Sequence, residues 1–247
     1  MSLESFWGIF DSIQCMTLKE EHQRKVILRE MFDTLNIQKA EFSEFTRHPL
    51  GSIQGNFEGH LTCMRNAYER GCQNVLIFED DAALSRPLKK DAMDEVARFV
   101  TTNQDWDILF LGCNPCLVFE KTHSVPNYKL IYKLHSMYTH AYAVSRRYMK
   151  KILDLKFEVF EQPFDVCISL SKRSYAVFPT WFYQQNMSGT HITPNIYRPN
   201  WWMRTVVDVK TFYASKINIP LGDLIWVILL FFFILIFLLL MLLFKTY

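Results

Sequence analysis

The sequence has no surplus of one charge, no long basic run, no cysteine framework, no internal repeat and no low-complexity linker. Each absence removes a class of protein. Lys and Arg number 27 against 25 Asp and Glu, a formal charge of +2. That is too little to grip a polyanion, so no nucleic-acid partner is expected. Six cysteines in 247 residues show no scaffold spacing, and a chain of this length folds without disulfides. Cys113 and Cys116 have the spacing of half a zinc knuckle or of a redox pair, but no second pair completes a zinc site. The cysteines therefore read as reduced and mostly buried. Met1 to Ile13 carries Glu4 and Asp11 and no continuous apolar run, so it does not read as a secretory signal. The seven histidines are not grouped with acidic residues as a two-metal phosphoesterase requires.

Apolar residues make up 50% of the chain and aromatics 15%, enough to fill the core of one sizeable domain. Every residue from Leu224 to Phe244 is apolar, matching the ~20 residues with which a helix crosses a bilayer. A buried core helix would show a polar face, and this run shows none. Trp226 stands near one end, where an interfacial aromatic is favoured. The expected organisation is a catalytic domain over residues 1–216, a juxtamembrane linker over 217–223, a transmembrane helix over 224–244 and a short tail over 245–247. A span at the C-terminus with no signal ahead of it predicts a single-pass anchor in a lipid bilayer with the domain on the cytosolic side. Lys210 and Lys216 fit that flank, although Lys245 stands on the other. On that side the sequon Asn186-Met187-Ser188 would be silent.

Ahead of the tail, short apolar runs alternate with stretches of helical period. Ile13–Leu18, Val75–Phe78, Ile108–Leu111, Ala141–Val144 and Tyr175–Phe178 read as strands. Residues 19–35, 57–70, 91–100, 146–153 and 167–170 read as helices, with Gly71 as a stop signal. This alternation predicts an α/β fold: a mostly parallel sheet covered by helices on both faces. In such sheets ligands bind beyond the carboxyl ends of the strands. One of those ends is Glu79-Asp80-Asp81.

Three adjacent carboxylates repel one another, and a fold tolerates them best when a cation neutralises them. Hard oxygen ligands suit Mn²⁺ or Mg²⁺ and leave coordination positions for phosphate oxygens. A metal-bound diphosphate leaving group would suit this position. A solvated turn capping a helix, with Ser85, Arg86 and Pro87 nearby, is the plain alternative.

The blocks around the triplet resemble glycosyltransferase family 25, the lipooligosaccharide and procollagen galactosyltransferases. They occur in family order: Gly55-Asn56-Phe57-Glu58-Gly59-His60-Leu61, Leu76-Ile77-Phe78-Glu79-Asp80-Asp81-Ala82, Asp105 to Gly112, Thr139 to Ser145 and Pro163-Phe164-Asp165. The resemblance implies a GT-A type, Rossmann-like α/β/α sandwich. It also implies a UDP-hexose donor carrying galactose or glucose, and inversion at the anomeric carbon. The acceptor would be a glycan, a lipid-linked glycan or a protein hydroxyl. Thr17 stands where the family usually has Asn, Gly59 where Ser is frequent, and residues 46–52 are short and irregular.

Under that resemblance Asp81 is the first metal ligand. Glu79 joins it, or else Glu79 or Asp80 reaches the ribose or a metal-bound water, and His191 closes over the diphosphate. Thr17, Arg24, His60 and His140 are candidates for the donor pocket. A surface arginine and a structural histidine are the alternatives for Arg24 and His60. Asp165 is the candidate base for the acceptor hydroxyl, or else a helix cap. Trp201 and Trp202 stack on a sugar or lie at the membrane surface. Two other functions fit less of this pattern: a metal-dependent phosphoesterase, and a catalytically silent membrane scaffold that binds a nucleotide or glycan.

Overall fold

A computed structural model of the chain describes residues 2–115, 123–133, 136–155, 163–169 and 171–184. In chain order the elements are α1 (Leu3–Trp7), β1 (Ser12–Leu18), α2 (His22–Thr34), β2 (Ala40–Phe45), α3 (Ser52–Glu69), β3 (Asn74–Glu79), β4 (Ala82–Leu84) and α4 (Lys90–Thr102). They continue with β5 (Ile108–Pro115), β6 (His123–Ser124), β7 (Ile131–Lys133), β8 (Ser136–Ser145), α5 (Arg146–Ile152), α6 (Phe164–Ser169), β9 (Ser174–Val177) and β10 (Phe182–Gln184).

Eight strands form one sheet in the order β2-β1-β3-β8-β5-β9-β7-β6, and β10 pairs with β4 in a small second sheet. The strands alternate their side chains between two cores, because successive residues of a strand point to opposite faces. Leu76 and Phe78 of β3, Leu109 and Leu111 of β5, and Ala141 and Ala143 of β8 join residues of α1, α2 and α4. Val75 and Ile77, Ile108 and Phe110, and Tyr142 and Val144 join residues of α3, α5 and α6 on the other side. The result is a three-layer α/β/α arrangement. Strands apolar at every position are what a sheet covered on both faces requires.

The expectation of a mostly parallel sheet is corrected. β1 pairs in parallel with β2 and β3, and β5 with β9. However, β8 runs antiparallel to both β3 and β5, and β7 runs antiparallel to β9 and β6. Between β5 and β8 the described residues supply two short strands in place of a crossover helix, so the chain returns beside β5 in the opposite direction. Helix boundaries shift by a few residues. α3 begins at Ser52 rather than at residue 57, and α6 occupies Phe164–Ser169 rather than 167–170. Gly71 follows α3 with φ of 84°, the left-handed conformation that glycine adopts without a Cβ penalty.

Among the described residues no helix is long and apolar enough to cross a membrane. The apolar run from Leu224 to Phe244, the linker before it, His191, Trp201, Trp202, the sequon and Cys116 lie outside the described residues. Cys15, Cys63, Cys72 and Cys167 are free thiols, and all but Cys72 are buried, as expected for a chain that folds without disulfides.

Candidate functional site

β1, β3 and β5 all end at the same edge of the sheet. β3 finishes at Glu79, and the chain turns through Asp80 and Asp81 into β4. Because β8 runs the other way, its opening residues reach that edge: Phe78 pairs with Ala141, which puts Thr139 beside Glu79. β10 pairs antiparallel with β4, with Gln184 opposite Ala82, and this delivers Gln184 to Asp81. A cavity of about 480 Å³ opens here, lined by Thr17, Arg24, Arg47, His48 and all three acidic residues.

The three carboxylates are not equivalent. Asp80 is held at both oxygens: Thr17 Oγ1 donates to Oδ2 at 2.8 Å and Arg24 Nη1 to Oδ1 at 2.9 Å. Burial works against the Arg24 charge, but the bond to Asp80 and the nearby Asp81 outweigh it and hold the guanidinium protonated. Asp80, one of two candidates for the ribose, lines the cavity with both oxygens already bonded within the protein. Thr17 and Arg24 also line the cavity, so the same side chains that hold Asp80 border the site.

Glu79 is held from behind. Thr139 Oγ1 donates to Glu79 Oε1 at 2.5 Å, and His60 Nε2 lies 3.2 Å from the same oxygen. Burial alone would raise the Glu79 carboxyl, but the bonds from His60 and Thr139 outweigh it and hold the group below the ordinary value. The other oxygen, Oε2, has no hydrogen-bond partner among the described residues.

Asp81 is the reverse case. Gln184 Nε2 donates to Oδ2 at 2.9 Å. Oδ1 is shielded from solvent and has no hydrogen-bond partner among the described residues. Burial first, then the Glu79 charge, pushes the carboxyl up to about 7. A shielded carboxylate oxygen without a donor is costly and calls for a positive partner.

The donor set fits a hard divalent ion. Glu79 and Asp81 lie two apart and each leaves one oxygen unengaged. Among the described residues no group of three or more His, Cys, Asp or Glu side chains converges. An ion held here would complete its shell with water or ligand oxygens, as Mg²⁺-type sites commonly do.

Other predicted residues fall elsewhere. His60 does not line the cavity. It is fully buried, with Nδ1 2.8 Å from Tyr142 Oη and its ring stacked on Phe164 at 4.4 Å. His140 is also buried and away from the cavity, 3.3 Å from the Phe182 carbonyl. Burial drops its imidazole to about 4, so it is neutral at physiological pH. Gly112 makes room for it: a Cβ there would lie 2.5 Å from His140 Nε2. Asp165 lies within the first turn of α6 rather than ahead of it, outside the cavity lining. It accepts from Val166 N–H at 2.9 Å and from Tyr138 N–H at 3.2 Å. Phe164 beside it touches His60, and Thr139 beside Tyr138 touches Glu79, so α6 is joined to the acidic edge. Thr139, Tyr142, Phe164 and Gln184 were not singled out from the sequence. The first three stand inside the quoted blocks, but nothing in their spacing announces a shared partner.

No known protein-family profile matches the chain. Over 112 residues it is 29% identical to procollagen galactosyltransferase 1-A of Xenopus laevis, covering 45% of this chain and 18% of that protein. Over 100 residues it is 27% identical to procollagen galactosyltransferase 1 of Danio rerio, covering 40% of this chain and 17% of that protein. The chain thus spans less than a fifth of the length of the curated relatives it matches. Among solved structures it is similar to a glycosyltransferase involved in the glycosylation of the major capsid of PBCV-1. The TM-score is 0.40 and the identity 11%, over 72% of this chain and 95% of that one. In sequence, then, the chain is distantly similar to glycosyltransferases.

Proposed function

We propose that this chain is a membrane-anchored glycosyltransferase of GT-A type that moves a hexose, galactose or glucose, from a UDP-sugar to a glycan, lipid-linked glycan or protein hydroxyl with inversion. Distant similarity to galactosyltransferases supports the reaction class, and the all-apolar run Leu224–Phe244 supports the anchor. One observation carries the reading: a cavity of about 480 Å³ whose acidic lining includes Asp81, a carboxylate with one shielded oxygen that has no donor among the described residues.

Glu79 and Asp81 are the residues proposed to hold Mn²⁺ or Mg²⁺, with His191 as a further ligand. A bound divalent ion there would neutralise charge building on a departing diphosphate. Arg24 and Thr17 keep Asp80 clamped, which fixes the turn that carries both ligands. The cavity is large enough to enclose a nucleotide-sized ligand. Asp165 is the proposed base, taking the acceptor hydroxyl proton as the new glycosidic bond forms.

The test is a screen of sugar nucleotides by thermal shift with Mn²⁺ present, followed by transfer and hydrolysis assays with and without the ion. Binding to the folded state raises its apparent stability. The expected result is stabilisation by a UDP-hexose that depends on Mn²⁺ and is lost in Asp81→Asn. Absence of both cation and UDP-sugar uptake overturns the proposal.

A further inference from the structure

The buried polar cluster behind Glu79 has a hydrogen inventory that closes in one way. Thr139 has one hydroxyl proton, and the 2.5 Å contact assigns it to Glu79 Oε1. Thr139 Oγ1 and Glu79 Oε1 both stand 3.2 Å from His60 Nε2. With the Thr139 proton committed, that nitrogen must carry its own proton, or two acceptors would face a lone pair. Tyr142 Oη lies 2.8 Å from His60 Nδ1, and both rings are fully buried. If Nδ1 were also protonated it would donate to Tyr142, and the phenol proton would have no acceptor among the described residues. A buried unpaired donor is expensive. The hydrogen bonds then run from Tyr142 Oη to Nδ1 and from Nε2–H to Glu79.

We infer that His60 is a positioning residue: locked in its Nε2–H tautomer by Tyr142, it pins Glu79 Oε1 from behind and so presents Oε2 to the cavity. Every donor in the cluster points towards Glu79, from Tyr142 to His60 and from His60 and Thr139 to the carboxylate. Phe164, stacked on the imidazole with an interplanar angle of 13°, fixes the ring plane. His60 is not a donor-pocket residue on this view, because it acts through Glu79. Its effect on a cation rests on the function proposed above, whereas the tautomer and the pinning do not.

The experiment has two arms on the full-length protein. In the first, ¹⁵N-histidine NMR without added metal reads the two His60 nitrogens. The expected spectrum has a protonated Nε2 and an unprotonated Nδ1, and Tyr142→Phe moves the Nδ1 resonance by removing its donor. A protonated Nδ1, or a resonance indifferent to Tyr142→Phe, overturns the inference. In the second, Mn²⁺ affinity is measured by calorimetry. Loss of an outer-shell partner of a metal ligand typically weakens binding by about 10–100-fold. His60→Ala and Thr139→Val are each expected to do so. His60→Gln, whose amide nitrogen can stand in for Nε2–H, is expected to recover most of the affinity. That rescue separates orientation from mere filling of space, and Thr139→Val covers the case in which His60→Ala does not fold. Unchanged affinity in folded His60→Ala and Thr139→Val overturns the pinning and leaves the metal reading intact. No Mn²⁺ uptake by the wild type removes the metal reading, and the NMR arm then decides the pinning alone.

Discussion

Replacing Asp81 with Asn should make the metal-free protein more stable, and only at neutral to alkaline pH. Its carboxyl stands at about 7 in the folded protein against 3.8 for the free group. The native state therefore binds more protons than the unfolded state between those two values. Stability falls as pH rises through that window, and the penalty is complete above about 7. About three pKa units at ~1.4 kcal/mol each put the ceiling near 4 kcal/mol. Asparagine keeps the shape, still offers an acceptor to Gln184 and carries no charge beside Glu79 and Asp80. The assay is urea unfolding of both proteins with a chelator present, at pH 4 and pH 8. The variant should gain on the order of 2–4 kcal/mol at pH 8 and close to nothing at pH 4, with unchanged slopes. Adding Mn²⁺ at pH 8 should stabilise the wild type and leave the variant unmoved. An equal gain at both pH values would show that Asp81 ionisation is not what the fold carries as a cost.

Gly112→Ala should destabilise by roughly 1–3 kcal/mol through overpacking, since the added methyl would also lie 2.8 Å from Phe182 Cβ; the urea midpoint reads this, and wild-type stability would contradict the packing. His140, at about 4 in the fold against an ordinary 6.5, contributes stability above pH 6.5 that is lost as pH falls through 4. His140→Gln should therefore lose about 3 kcal/mol less than wild type over that interval, measured by unfolding at a series of pH values. Asp165→Asn should cut transfer kcat by about 10²–10⁴-fold while leaving UDP-hexose binding unchanged by calorimetry; near-normal turnover removes it as the base. His191→Ala should weaken Mn²⁺-dependent donor binding, and an unchanged manganese titration removes His191 from the ligand set.

How much of this was legible without coordinates depended on how local each signal was. β3 and β5 announced themselves as apolar runs, and α2, α4 and α5 by helical spacing, because burial on both faces leaves a pattern that needs no partner to be seen. β2 reads Ala40-Glu41-Phe42-Ser43-Glu44-Phe45 and was missed. As an edge strand it is half exposed, and its glutamates pair with Lys25 and Arg70. The direction of β8 has no local signal, because only the lack of a crossover helix among the described residues between β5 and β8 encodes it. Glu79 and Asp81 stood out as charges ending a buried strand. Nothing local told Asp80 apart from its neighbours. Its fate is set by Thr17 and Arg24, and that of Asp81 by Gln184, side chains far off in sequence that the fold alone brings near. His60 and His140 read as site residues by type, yet both are buried, one as a brace and the other beneath β10.

The reversed strand at the centre of the sheet has an evolutionary corollary. Pro115 of β5 pairs with Ser136 of β8, so the segment between them leaves and re-enters at the acidic rim and not at the opposite end. Lengthening or shortening that excursion would leave the registers of β3, β5 and β8 behind it undisturbed. A lineage could then vary this one excursion in length and still inherit the acidic edge unaltered.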